Sequence, residues 1–165
     1  MLTNLNILFQ RLRDAEYAHL LLEEFSLYGL LTGLIFFVVG VYLHQDKCRI
    51  AALVFIGLCC GSAVYGLGLR QEAMPRTLQA CEVTQVPFIK EQTKLRQDTL
   101  WVYYATAGLA VLALVSGGKL GAWLNIAFLL GGSVALVFSL WLHMKEAEVF
   151  HPNIKKGVHR ASKVT

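Results

Sequence analysis

Two long runs of uncharged, mostly apolar residues limit what this chain can fold into more than any other feature. They cover residues 25–43 and 50–69, and the short polar segment HQDKCR separates them. A helix of about 20 residues, rising roughly 1.5 Å per residue, crosses a hydrocarbon core of about 30 Å. No soluble core of this size could bury two such helices on every side, so the sequence predicts an integral membrane protein.

Two further apolar stretches follow later in the chain, and hydrophobic residues make up 56% of the 165 positions. That share is typical of a polytopic membrane protein. We therefore predict an all-α fold in which residues 25–143 form a transmembrane bundle of four helices in two hairpins. The predicted spans cover residues 25–43, 50–69, 99–117 and 120–142.

The segments outside the spans are more polar. In residues 1–24 the apolar positions recur at helical spacing, which predicts an amphipathic helix in the membrane interface. This segment lacks the pattern of a cleavable signal peptide, so the first apolar run is expected to be an uncleaved anchor. Residues 70–98 are expected to form a cytoplasmic segment whose EQTKLRQD stretch is helical, and residues 144–165 a cytoplasmic tail.

The basic residues predict the orientation in the membrane. Lys47, Arg49 and Lys119 fall on one side of the predicted spans, and all other Lys and Arg residues fall on the opposite side. Cytoplasmic loops carry the excess of Lys and Arg in membrane proteins. Both termini and the middle segment are therefore predicted to be cytoplasmic. The twelve basic residues on that side are Arg11, Arg13, Arg70, Arg76, Lys90, Lys94, Arg96, Lys145, Lys155, Lys156, Arg160 and Lys163.

Small residues recur within the spans, often four positions apart. Inside lipid the hydrophobic effect does not drive helices together, so close backbone approach through small residues is what packs a bundle. We predict a compact bundle whose helices pack through Gly29, Gly33, Gly57, Gly61, Gly108, Gly131 and Gly132.

Composition and motifs exclude several functions. A net charge of +4 is too small and scattered to indicate a nucleic-acid partner. The four cysteines show neither CxxC nor zinc spacing, so no metal site is expected. No Asp, Glu, Lys, Arg or His lies inside the predicted spans, which argues against a proton-coupled transporter. No nucleophile–base pair is visible, so we expect no catalytic residues and no enzyme activity.

His19 and His143 are the candidate ligand-binding residues. His19 precedes the first span and His143 follows the fourth, so both are expected at a similar level and on the same side. A b-type haem needs axial imidazoles that face each other across a bundle. The alternative is that both are interfacial polar residues flanking helices. Aromatic residues near the span ends are typical interface anchors, and a pigment or quinone pocket could use the same residues.

The run DAEYAHLLLEEFSLYGLLTGL, followed by RIAALVFIGLCCGSAVYGLG, resembles the start of small four-helix bacterial inner-membrane proteins of unknown function, grouped with cytochrome-b-like bundles. His19 matches a histidine before their first span, and Gly29 and Gly33 match its glycines. Where members of that group carry Asn-His-Leu-Pro, this chain has Glu-Glu-Phe-Ser, and KLRQD before the third span also lacks their histidine. The resemblance implies a helical bundle that has lost haem and acts structurally.

These observations lead to one expected function and one alternative. The first is a non-catalytic accessory subunit of a larger membrane complex, respiratory or photosynthetic, whose partners are membrane lipid and other integral membrane subunits and which needs no cofactor. The alternative is a b-haem electron-transfer protein that uses His19 and His143. A third and remote hypothesis is a thiol–quinone oxidoreductase that uses Cys48 with another cysteine. That cysteine cannot be Cys81, because Cys48 and Cys81 are predicted on opposite sides of the membrane.

Overall fold

The computed structural model describes residues 14–116 and 118–150, and within these ranges every regular element is an α-helix. The predicted all-α fold is thereby confirmed. In chain order the helices are α1 (Ala15–Tyr42), α2 (Asp46–Ala80), α3 (Val86–Asp98), α4 (Trp101–Val115) and α5 (Gly118–Phe150).

Among the described residues, four helical segments are long and apolar enough to cross a membrane, as the hydropathy pattern predicts. Each predicted span overlaps one of them. The third segment combines α3 and α4, which meet at a short turn at Thr99 and Leu100. The four segments are Tyr17–Tyr42, Asp46–Ala80, Val86–Val115 and Leu120–Ala147.

The helices form a closed bundle. α1 packs along α2, α2 also packs on α4, α4 packs on α5, and α5 returns to α1. The core lies midway along the helices, where Leu30, Ile56 and Phe128 are fully buried. The rings of Phe37 and Phe128 meet edge to face with centroids 4.8 Å apart. Large apolar side chains such as Leu58, Leu130 and Val137 cover the outside of the bundle instead of polar ones.

The tight connection between α1 and α2 has identifiable causes. His44 adopts a left-handed backbone with φ of 54°. The N–H of Gln45 donates to the carbonyl of Gly40 over 2.8 Å, and the N–H of His44 donates to that of Val41. This hydrogen-bond pattern is a Schellman motif, which ends a helix by satisfying its last carbonyl groups. Gly40 also lets α2 approach, because a Cβ there would lie 2.7 Å from the backbone nitrogen of Arg49.

The helices extend beyond the limits predicted for the spans. α1 passes residues 24 and 25 without a break, so the described part of the predicted interfacial helix is the first part of the first long helix. Residues 1–13, which hold the remainder of that prediction, lie outside the described residues, as does the tail from residue 151. α2 continues through Pro75 to Ala80, so much of the polar middle segment is helical.

The predicted packing glycines fall into two groups. A Cβ on Gly29 would lie 2.3 Å from Cys59 Sγ, one on Gly33 would lie 2.4 Å from Ile56, and ones on Gly131 and Gly132 would lie 2.8 Å from Leu109 and Leu34. These four glycines therefore lie at contacts between helices. In contrast, a Cβ on Gly57, Gly61 or Gly108 would have no atom within 4 Å. Within this chain those three do not pack helices together, because their positions face outward.

Candidate functional site

Four charged residues from four helices meet at one end of the bundle, which we call the polar end. They are Glu23 on α1, Arg70 on α2, Arg96 on α3 and Glu146 on α5. Arg70 donates from Nη1 to Glu23 Oε1 over 2.9 Å and from Nη2 to Glu146 Oε1 over 2.8 Å. Arg96 Nη2 lies 3.4 Å from Glu23 Oε2 and also donates to Glu146 Oε2. Each carboxylate thus pairs with both guanidinium groups, and the four residues form a closed ion-pair ring.

The ion-pair ring is largely shielded from solvent. The side chains of Glu23 and Arg70 are each 9% exposed, and that of Arg96 is 14% exposed. Arg70 Nε also donates to the hydroxyl of Thr93 over 3.2 Å, so each nitrogen of this guanidinium has an acceptor. Two positive and two negative charges cancel. Burying charges is costly unless they are paired and hydrogen-bonded. All four charges are paired here, although Nε of Arg96 has no hydrogen-bond partner among the described residues.

The ring forms where it does because the helices carry their core-facing pattern past the apolar runs. Glu23 stands four residues before the buried Leu27, and Glu146 four residues after the buried Leu142. Residues at this spacing share one helix face. Arg70 follows the buried Leu67 by three residues in the same way. The charged side chains therefore point into the bundle, where they can reach one another.

A cavity of about 480 Å³ opens beside the ring at the polar end. We call it the polar-end cavity. Leu20, Met74 and Ile89 contribute apolar side chains, whereas Arg70 and Glu146 bring part of the ring to its wall. Its size lies within the range of about 300–1,000 Å³ that is usual for small-molecule sites, which also combine apolar walls with a few polar groups. The remaining lining residues are His19, Glu23, Glu24, Thr77, Ala80, Cys81, Thr93, His143 and Ala147.

Both candidate histidines line this cavity. His19 approaches from α1, and its Nδ1 lies 3.0 Å from the carbonyl oxygen of Ala15 one turn earlier. His143 approaches from α5, and its Nε2 lies 3.3 Å from Glu24 Oε1. Sequence reasoning places the two histidines at the same level, and the structure brings both to one cavity.

The cysteines are free and spread along the bundle. Cys59 and Cys60 are buried in the core beneath α1, Cys81 lines the polar-end cavity, and Cys48 lies near the opposite end, where its thiol donates to the carbonyl of Phe36 over 3.5 Å. Within residues 14–116 and 118–150, no three His, Cys, Asp or Glu side chains are grouped to hold a metal ion.

One further polar pair lies close to the ring. Tyr103 on α4 and Ser139 on α5 are both buried, and their hydroxyl oxygens are 2.7 Å apart. Ser139 donates to the carbonyl of Ala135, so Tyr103 donates to Ser139. A small second cavity of about 20 Å³ is lined by Tyr103 and by the ring residues Glu23 and Arg96, among others.

Sequence reasoning missed the ion-pair ring although a signal for it exists. Each predicted span has one ring residue within four positions of the end that lies on the predicted cytoplasmic side. The predicted spans end where the apolar runs end, so these charged residues were assigned to loops. That assignment hid the fact that each lies on the buried face of its helix.

Comparisons with protein-family models, with curated proteins and with solved structures found no match to this chain. The resemblance to cytochrome-b-like bundles therefore stays a prediction.

Proposed function

We propose that this chain is a multi-pass membrane protein that acts as a non-catalytic subunit of a larger complex and holds a small amphiphilic molecule in its polar-end cavity. The single observation that carries the proposal is the cavity of about 480 Å³ between four helices, which is lined by both apolar and polar side chains. Amphiphiles need both kinds of surface at once. The apolar outer surface of the bundle supports the membrane setting.

The proposal is tested with the full chain purified from its native membrane in a mild detergent. Native mass spectrometry is expected to find about one bound small molecule per chain. Ala147→Trp fills the cavity and is expected to remove it. Val137→Trp is the matched control, because it lies on the same helix with its side chain 66% exposed on the outside. Equal amounts of bound molecule in all three proteins would contradict the proposal.

The proposed membership of a complex has its own test. Gentle extraction followed by native electrophoresis is expected to yield the chain together with larger companions in fixed ratio. We propose further that the membrane is a bacterial inner membrane and that the complex takes part in respiratory or photosynthetic electron transfer. A chain that migrates as a small single species in several mild detergents is not an accessory subunit.

The proposed orientation places the polar end in the cytoplasm, because the basic residues cluster there. Cys48 and Cys81 lie at opposite ends of α2 and serve as reporters. In right-side-out vesicles, a membrane-impermeant maleimide is expected to label a variant that keeps only Cys48. A variant that keeps only Cys81 is expected to react only after the membrane is permeabilised. The reverse pattern would invert the orientation.

A b-haem is the second candidate for the cavity, and the position of His19 favours it. With its Nδ1 hydrogen-bonded to a backbone carbonyl, an imidazole keeps Nε2 for a metal, as axial histidines do. His143, which also lines the cavity, would be the second ligand, and the haem would supply one-electron transfer. The reduced-minus-oxidised spectrum of the purified protein is expected to show b-haem bands that His19→Ala and His143→Ala each remove. His44→Asn, at the other end of the bundle, is the control. A colourless protein eliminates this candidate.

A further inference from the structure

We propose that the hydrocarbon core of the membrane extends past the ion-pair ring on the α1 side of the bundle, so that the ring lies just inside the membrane at its cytoplasmic boundary. The partner that covers this surface is the acyl chains of lipid. The inference rests on the membrane setting of the proposed function and adds the depth of the ring. It follows from where exposed apolar side chains end on α1 and where exposed charged ones begin on α3.

Exposed apolar side chains on α1 continue beyond the level of the ring. They recur at intervals of three or four residues, which places them on one helix face, and each is between 41% and 61% exposed. We call this row the α1 outer stripe. Leu21, at its end, lies two positions beyond Glu23 toward the polar end, so the stripe passes the ring. The members of the stripe are Leu21, Phe25, Tyr28, Leu31 and Ile35.

The charged residues of this part of α1 do not belong to the stripe. From Leu21 to Tyr42 the sequence contains two, Glu23 and Glu24. Glu23 points into the ring, where its side chain is 9% exposed. Glu24 is turned toward α5, and its Oε1 lies 3.3 Å from Nε2 of His143. The stripe therefore presents no charge to its surroundings, on either side of the level of Glu23.

The length of this apolar surface matches the membrane. A helix rises roughly 1.5 Å per residue, so Leu21 and Tyr42 lie about 32 Å apart along α1, and a hydrocarbon core is about 30 Å thick. Lipid that begins at Tyr42 cannot extend further at that end, because the exposed residues Asp46 and Lys47 follow in the connection to α2. The same lipid therefore reaches about Leu21 at the other end.

The opposite corner of the polar end is different. α1 and α3 each pack on α2 and on α5, which places them at opposite corners. On α3 the exposed residues Lys90, Lys94 and Gln97 share one helix face, and Lys94 lies two positions beyond Arg96 toward the polar end. Charged side chains at this level need water, so the hydrocarbon ends earlier on the α3 side. A boundary that differs between two corners means that the bundle is tilted in the bilayer, as membrane helices commonly are.

This depth gives the ion-pair ring a meaning that a cytoplasmic position does not. Ionisable residues within a membrane are costly, so they face the interior of a bundle and pair with one another. The four ring residues do both, because each carboxylate pairs with both guanidinium groups. Charged residues at this depth mark functional sites. The ring and the adjoining polar-end cavity therefore form one site at the membrane boundary.

The test is depth-dependent fluorescence quenching of the full chain in phosphatidylcholine vesicles, whose acyl chains carry bromine either near the headgroup or near the chain end. The three native tryptophans are replaced by phenylalanine, and one new tryptophan reports. Leu21→Trp is expected to lose fluorescence mainly to the shallow bromine. Leu31→Trp, near the middle of the apolar length of α1, is expected to lose it mainly to the deep bromine. Lys94→Trp is the matched control, equally far beyond a ring residue but on α3, and is expected to lose none.

The outcomes separate this inference from the proposed function. If Leu31→Trp is quenched but Leu21→Trp is not, the chain spans the membrane and the ring lies outside the hydrocarbon, so the inference alone is wrong. If Lys94→Trp is quenched as strongly as Leu21→Trp, the boundary is level and the inferred difference between the two corners is wrong. If Leu31→Trp is not quenched either, lipid does not cover α1, and both the inference and the membrane setting fail.

A second measurement needs no substitution. The wild-type chain is placed in vesicles with a lipid that carries a diazirine on its acyl chain, irradiated and digested. Mass spectrometry is expected to find the lipid attached within residues 17–28 but not within residues 86–98. Attachment to the α3 segment alone, or to neither segment, would contradict the inference even if the tryptophan variants failed to insert.

Discussion

The polar end and the middle of the bundle hold the same helices together by different means. At the polar end the ion-pair ring links α1, α2, α3 and α5 through charged side chains that reach across the bundle. In the middle, α1 and α2 approach closely because Gly29 and Gly33 lack side chains, and Phe37 and Phe128 fill the space between α1 and α5.

Because of this difference, the two regions are expected to tolerate different kinds of substitution. Van der Waals contacts are short-ranged, so the stability of the close-packed middle depends on the volume of each side chain and not on its charge. A buried ion-pair ring depends on every member, because the loss of one leaves its neighbours as charges without a partner. The bundle is thus close-packed where it is apolar and has its cavity where it is charged.

Removing one member of the ring is expected to give the largest loss of stability. Arg70→Met leaves Glu23 and Glu146 with Arg96 alone, so we expect the free energy of unfolding to fall by about 3–5 kcal/mol. Arg76→Met is the matched control. Its side chain is 74% exposed, and its ion pair with Asp14 spans 3.8 Å, so a change under about 0.5 kcal/mol is expected. Unfolding in mixed micelles with increasing SDS measures both variants, and similar losses in the two would contradict the role of the ring.

A charge exchange distinguishes a ring from separate ion pairs. In the double variant Glu23→Arg with Arg70→Glu, the exchanged pair is restored. However, the new arginine then faces Arg96 and the new glutamate faces Glu146. The double variant is therefore expected to stay at least about 2 kcal/mol below the wild type, because like charges replace two of the four contacts. Recovery of wild-type stability would mean that Glu23 and Arg70 form an isolated pair.

These residues also show how far the sequence can predict such a molecule. The four apolar runs predict the helices, and the six residues between the first two runs predict the α1–α2 hairpin, because hydropathy and connection length are local properties. Which charged residues belong to the ring is not a local property of the sequence. Glu24 and Lys145 lie as close to the span ends as Glu23 and Glu146, and only the helical phase of the core pattern separates them.

The cavity is harder still to predict. It depends on the extension of α2 past Pro75 to Ala80 and on the position of α3, which packs against both α2 and α5. Prolines inside a polar segment normally indicate the end of a helix. His19 and His143 can be selected as a pair because both flank spans on one side. The hydrogen bond of His19 to Ala15 and the contact of His143 with Glu24 become visible only in the structure.

A change of volume in the middle is expected to have an intermediate effect. Gly33→Ala places a Cβ 2.4 Å from Ile56, and the resulting overpacking is expected to lower the free energy of unfolding by about 1–3 kcal/mol. Gly57→Ala is the matched control in the neighbouring helix, where the new Cβ contacts nothing. Alanine favours helix over glycine by about 1 kcal/mol, so this variant is expected to be as stable as the wild type or slightly more so.

The two glycine variants are expected to behave differently in the native membrane as well. If Gly57 packs against another subunit, Gly57→Ala will release the companions during gentle extraction while the isolated chain keeps its stability. Equal losses of stability for Gly33→Ala and Gly57→Ala in the isolated chain would instead show that close approach between α1 and α2 is not specific to Gly33.

The smallest expected effect concerns the hydrogen bond that lies between the two regions. Tyr103→Phe removes the hydroxyl that donates to Ser139 over 2.7 Å but keeps the ring, so we expect a loss of about 1 kcal/mol. Tyr104→Phe is the control, because that neighbouring side chain is 59% exposed and is expected to change stability negligibly. The loss should be modest because Ser139 keeps its bond to Ala135. A loss above about 3 kcal/mol would mean that Tyr103 also supports Glu23 and Arg96 across the small cavity, so that the polar end begins one turn deeper in the bundle.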